Sequence, residues 1–205
     1  MLSSIHPLGE RAKNQRWSVT VTAHVLGAVI GGGLIGAALG SAGWVLAQAG
    51  IGLTSRVGLL MVVSFTALAV DALEWPRWLW RPHRQVDENW LTAYRGWVYG
   101  AGYGVQLGLG VSTIVTAATV YALGAFAIAS GSAISGTVVG MVFGAGRGLS
   151  LIAARTVTTP ERLIAFHRRM QDRRKWGRTA AVAGDAVLGV VALVVLVSAI
   201  AGGVA

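Results

Sequence analysis

Cysteine is absent from all 205 residues, which excludes disulfides, thiolate metal sites and thiol nucleophiles. Charge is nearly as scarce: 12% of residues are charged, where soluble domains carry about a quarter. Histidine occurs four times, and only His24 falls in an apolar run, so no metal motif can be read. The Gly-x-Gly pairs at Gly102 and Gly104 and at Gly108 and Gly110 follow no strand and accompany no phosphate-binding lysine. A serine nucleophile elbow is missing too. These absences leave little room for an enzyme, and neither a cofactor nor a metal is expected.

What is present is apolar surface and glycine. Hydrophobic residues make up 54% of the chain and the mean hydropathy is +0.63, which marks an integral membrane protein. Among 29 glycines, Gly96, Gly100, Gly104 and Gly108 recur every fourth residue, as do Gly136, Gly140, Gly144 and Gly148. A four-residue step advances only about 40° around a helix, so each set forms a strip without side chains along one face. In lipid, where burying apolar surface contributes little to helix association, such strips let backbones approach closely. Chance spacing in a glycine-rich chain is the alternative reading.

Weakly charged runs cover 18–55, 57–70, 96–146 and 179–205. A crossing needs about 20 helical residues, so the pattern predicts an all-α, polytopic transmembrane bundle of about five spans at 17–48, 56–74, 97–127, 133–154 and 179–203, forming a single membrane domain. The run after Trp17 is too long for a signal-peptide core, and it is taken as a retained span that Gly31, Gly32 and Gly33 could bend. Lys and Arg number three before the first span, four in 75–96 and eight in 155–178, with Arg56 alone on the opposite side and Arg147 inside a span. That asymmetry places the N-terminus in the cytoplasm and the C-terminus outside, in the inner membrane. Seven of the eight tryptophans fall at the same boundary, and five of them put the connection from Glu74 to Trp97 along the membrane surface.

The basic connection carries its own pattern. Thr158, Thr159, Pro160 and Glu161 make a helix start, after which Leu163, Phe166 and Met170 oppose Arg162, Arg168, Arg169 and Arg173. The pattern predicts an interfacial amphipathic helix, with residues 158–178 meeting anionic lipid headgroups rather than nucleic acid or calmodulin. A shift of 81 residues superposes Leu26 and Gly27 on Leu107 and Gly108, and Gly50 on Gly131, a weak internal two-helix repeat.

Polar groups within spans are costly and mark candidate sites. The expected binding residues are His24, Asp71, Gln106, Arg147 and Asp185, all at depths of roughly 6 to 14 Å from the cytoplasmic boundary. One reading is a polar vestibule in which His24 and an aspartate exchange protons while Arg147 attracts an anion. The other is structural: Arg147 paired with an aspartate, and His24 and Gln106 hydrogen-bonded across helices.

The stretch GYGVQLGLGVSTIVTAATVYALGAFAIASGSAISGTVVGMVFGAGRGLSLIA, from Gly102 onward, resembles the second half of the DsbD and CcdA membrane family. His24 to Leu60 is similar to the first half. The resemblance implies a shared bundle, and the family's activity is thiol-disulfide electron transfer. That activity rests on a cysteine beside proline in each half, and Gly108 to Ala117 holds neither, so no functional residue carries over. The family's three spans per half also find no third counterpart in the polar 75–96 connection. The expectation is therefore a small transporter-like membrane protein carrying an ion or small solute through a cytoplasm-facing polar site. The alternative is a non-transporting anchor or assembly subunit, with a protein partner or a homo-oligomer formed through the glycine faces.

Overall fold

The computed structural model describes residues 5–73, 90–110, 118–172 and 174–201. These form helices α1 (Pro7–Ala12), α2 (Trp17–Gln48), α3 (Leu53–Ala72), α4 (Trp90–Ala93), α5 (Gly96–Leu109), α6 (Thr119–Ser130), α7 (Ala133–Leu149), α8 (Pro160–Asp172) and α9 (Arg174–Ala201), with a 3-10 segment at Ser150–Thr156. No strand occurs among the described residues. Among the described residues, four segments are long and apolar enough to cross a membrane: Trp17–Gln48, Leu53–Ala72, Ala133–Thr156 and Thr179–Ala201. Helix α6 is apolar but shorter. The chain is thus an all-helical, multi-pass membrane bundle.

The single helix expected over 97–127 is replaced by α5 and α6. Helix α5 stops because Gly110 takes φ of 70°, a left-handed conformation that glycine adopts without a side-chain clash. Residues 111–117 lie outside the described residues, as do 74–89, where the tryptophan-rich surface connection was expected. Helix α2 instead runs unbroken through Gly31, Gly32 and Gly33. Glycine lowers helix propensity by about 1 kcal/mol per residue, and here Gly31 and Gly32 are pressed against neighbouring backbone, so packing offsets that weakness.

The described helices gather into two compact units. The first comprises Met1–Leu34, Pro82–Ile114 and Gly140–Arg174, the second Ile35–Arg81, Val115–Val139 and Lys175–Ala205. In the first, the N-terminal half of α2 lies between α5 and the C-terminal half of α7. Ala28 is fully buried at this contact. A Cβ added to Gly104 would overlap the His24 carbonyl, and one added to Gly108 or Gly144 would overlap the carbonyl of Ala28. Toward the start of α2, Ile5, Val21, Tyr99, Tyr103 and Leu151 form a buried cluster joined by Trp17, Val25 and Trp90. The Trp90 ring stacks on Tyr103 with centroids 6.0 Å apart.

In the second unit, α3 and α6 pack along a stripe of small residues. Ala125 and Ala129 meet Val57 and Leu60, with Ala192 of α9 completing the cluster. One step along, Ala118 and Ala122 meet Ala67, with Val70 and Leu188 against them. The buried positions 118, 122, 125 and 129 follow the helical three-and-four spacing, which puts them on one face. Arg56 closes one end: its Nη1 lies 3.5 Å from the Gly43 carbonyl and 3.4 Å from that of Ala129. The Ala129 carbonyl, in the last turn of α6, lacks an intrahelical donor, and the guanidinium supplies one.

Candidate functional site

The five expected binding residues divide between the units. His24, Gln106 and Arg147 belong to the first, Asp71 and Asp185 to the second. His24 is buried, and its Nδ1 lies 3.3 Å from the Gly100 carbonyl, a contact that a proton on Nδ1 turns into a hydrogen bond between α2 and α5. Arg147 is half-buried with its guanidinium 5.3 Å from the centre of the Phe143 ring, one turn back on α7. Gln106 is half-buried on α5.

The first unit also holds a polar cluster that the span-by-span reading overlooks. Glu10, on the short helix before the first span, is completely buried. Its carboxylate accepts hydrogen bonds from the Thr20 hydroxyl at 2.7 Å and from the Tyr99 hydroxyl. The Gly96 amide donates to Gln15 at 3.3 Å, and the Lys13 ammonium lies 5.4 Å above the Tyr99 ring. The Leu8 amide donates to the Val157 carbonyl at 3.2 Å, which ties the same short helix to the end of the 3-10 segment. A buried carboxylate with two hydroxyl donors is satisfied, and the cluster reads as an anchor that fixes the N-terminal segment on α2 and α5. The signal in the sequence is slight: Glu10 is the only acidic residue before Asp71.

Asp71 and Asp185 do come together. Asp71 is on the last turn of α3, half-buried, and both its oxygens lie 3.0 Å from the Ala118 amide. That amide is among the first of α6 and has no partner within the helix, so the carboxylate caps α6 at its positive end. Asp185, on α9, is fully buried, and the Asp71 carboxyl and the Thr119 hydroxyl are among the groups that face it. Neither oxygen of Asp185 receives a well-formed hydrogen bond. Thr119 directs its own proton to the Ala181 carbonyl, 3.3 Å away and one turn before Asp185 on α9. Ser64, two turns before Asp71 on α3, is fully buried, and its hydroxyl likewise has no hydrogen-bond partner among the described residues. The surroundings are apolar, with Ala67, Ala118, Ala122, Val70 and Leu188 packed together. No group of three or more His, Asp or Glu side chains gathers among the described residues.

The methylamine utilization protein MauF of Paracoccus versutus is 29% identical to the chain over 192 residues, covering 91% of the chain and 66% of the relative's own length. No solved structure matches. Residues 3–190 match the family described as the cytochrome c biogenesis protein transmembrane region, almost the whole helical bundle, with Asp71 and Asp185 inside the match. The chain therefore belongs to that family of membrane proteins, as a member without a single cysteine.

Proposed function

We propose that the chain is a small inner-membrane transport protein that moves an ion or small solute through a polar site open to the cytoplasm. The observation that supports this most is the buried Asp185 carboxyl facing Asp71 between membrane helices. Intramembrane acids are expensive and are kept chiefly where a pathway uses them. Without cysteine the chain cannot transfer electrons through thiols, so a shared bundle must serve another end. Asp71 ends its span and Asp185 lies early in Thr179–Ala201, and each adjoins a connection rich in Lys and Arg. By the positive-inside tendency both carboxylates belong to the cytoplasmic side, with the N-terminus inside and the C-terminus outside.

Flux in reconstituted vesicles tests the reading. Asparagine at Asp71 or Asp185 is expected to reduce solute-dependent flux at least tenfold, the scale of a lost buried charge contact. Unchanged flux with His24, Asp71, Arg147 and Asp185 each replaced by alanine or asparagine would remove the site.

A second reading is a membrane anchor or assembly subunit. It is favoured by α8, none of whose residues is buried, with Ile164 and Met170 exposed alongside Arg162, Arg168 and Arg169. Such a helix suits an anionic headgroup layer, and beside it a partner protein. The glycine strips expected to serve a homo-oligomer are instead buried within the chain, all eight residues of them, so self-association has to use another face. Mild detergent extraction that yields a stoichiometric partner favours this reading, and a solitary, active transporter rules it out.

A further inference from the structure

We propose that the N-terminal segment from Ile5 to Gln15 is a plug in the mouth of the first unit, which has to undock before a solute reaches Gln106 from the cytoplasm. The proposal rests on the transport reading and names how access to its site is controlled.

The segment is inserted among the helices. Ile5 is completely buried in one cluster with Val21 of α2, Tyr99 and Tyr103 of α5 and Leu151 of the 3-10 segment, so its side chain fills the space where three elements converge. Glu10 is equally buried, between the Thr20 hydroxyl of α2 and the Tyr99 hydroxyl of α5. The Leu8 amide donates to the Val157 carbonyl, just past the 3-10 segment, and Gln15 accepts from the Gly96 amide at the start of α5. Helix α2, helix α5 and the 3-10 segment are thus all fastened to one short stretch. Tyr99, Tyr103 and Gln106 are spaced four and three apart, which puts them on one face of α5 running inward from the plug. Gln106 therefore belongs to the wall whose outer end Ile5 and Glu10 cover.

This fastening is weaker than the rest of the unit. Isolated helices shorter than about 12 residues barely form in water, so α1, with six, depends on docking for its order. Its ties are hydrogen bonds, each of which is exchanged for one to water on release and so contributes little net. Enclosing the Glu10 carboxyl also strips it of water, which opposes docking. Among the described residues of the segment, the apolar side chains buried in return are those of Ile5 and Pro7. By contrast, α2 and α5 press backbone on backbone at Gly100, Gly104 and Gly108. Local opening begins where such contacts are fewest, which makes the plug the part that yields first. Asn14 supplies the joint: it turns the chain between α1 and α2 with φ of 55°, a left-handed conformation that asparagine tolerates, and residues 11–14 are exposed.

Because the chain has no cysteine, introduced thiols are its sole thiol reporters. In lipid nanodiscs, a charged, water-soluble thiol reagent is applied to Gln106→Cys, alone and combined with Glu10→Ala. The single variant reacts through a minor undocked population, and the double variant is expected to react about tenfold faster or more. Equal rates overturn the proposal. Should Glu10→Ala fail to fold, Tyr99→Phe takes its place, with a rise of about threefold expected for one lost hydrogen bond and no rise overturning the proposal. Vesicle flux gives the second test. Leu8→Cys with Val157→Cys sets two thiols where the backbones lie 3.2 Å apart, and the oxidised pair is expected to abolish flux until dithiothreitol restores it. A pair that does not cross-link shows Leu8 away from Val157 and overturns the plug. Flux that ignores the disulfide also overturns the plug and leaves transport standing. Labelling that follows Glu10 in a protein without any flux refutes transport and leaves the plug standing.

Discussion

The carbonyl oxygen of His24 faces the bare α-carbon of Gly104, and one turn further the Ala28 carbonyl meets Gly108 in the same way. Helices α2 and α5 thus touch backbone to backbone, with van der Waals contact and weak Cα–H···O interactions in place of side-chain packing. Any methyl group at these positions must push one helix away from the other.

Gly104→Ala is accordingly expected to destabilise the protein by about 1–3 kcal/mol, the usual cost of overpacking. Gly58→Ala is the control: nothing lies within 4 Å of an added Cβ there, so the change is expected to stay within about 1 kcal/mol, on the stabilising side. Unfolding in graded SDS, followed by circular dichroism, measures both.

Removing the Arg56 guanidinium strips donors from the carbonyls of Gly43 and Ala129. Arg56→Ala is expected to cost about 1.5–3 kcal/mol, as for other hydrogen bonds to a charged group. Gly131→Ala is expected to be costly for two reasons, since Gly131 has φ of 60° and an added Cβ would collide with the guanidinium. Combined with Arg56→Ala it loses only the collision, so the pair is expected to be less than additive in the same SDS titration.

The Glu10 anchor yields a double-mutant cycle. Tyr99→Phe leaves the Glu10 carboxylate with the Thr20 hydroxyl alone and is expected to cost about 1–3 kcal/mol. Glu10→Gln and Tyr99→Phe together are expected to show a coupling of roughly 0.5–3 kcal/mol. Hydrogen exchange at Pro7–Ala12 reports the release of the short helix directly, and an unchanged pattern would exclude the anchor.

A pH effect is expected at the start of α8. The backbone amide of Glu161 and the Thr159 hydroxyl hold the Glu161 carboxyl below the usual carboxylate range. A depressed carboxylate stabilises the fold above its ordinary pKa, and that contribution is lost as pH falls through the folded value. The first turn of α8 is therefore expected to loosen in acid and to stay ordered at neutral pH. A spin label on an exposed site of α8 reads this, and Glu161→Gln is expected to flatten the acid limb.

Some of this architecture is written in the residues themselves. The run from Trp17 to Gln48 contains no charge, so it encodes a helix suited to lipid whatever surrounds it. The alternation of Leu163, Phe166 and Met170 with arginines encodes the amphipathic character of α8 in the same way. Asp71 and Asp185 are visible as charges in apolar runs, but 114 positions separate them and nothing local ties one to the other. Glu10 is less legible still, because an acid ahead of the first span looks like an ordinary solvated residue until Tyr99 and Thr20 are found around it. Even the break at Gly110 is hidden within a run of glycines, each of which could equally continue a helix or end one.

The sequence alone determined that this is a helical membrane protein and that thiol chemistry is closed to it, because hydropathy sums residue by residue and an absent element is absent in every fold. Only the tertiary structure decided which glycines meet backbone, that Glu10 is enclosed, and that Asp185 faces Asp71. Those relations depend on how each helix is rotated about its axis and where it touches the next, and contacts between distant positions leave no local trace in composition or spacing.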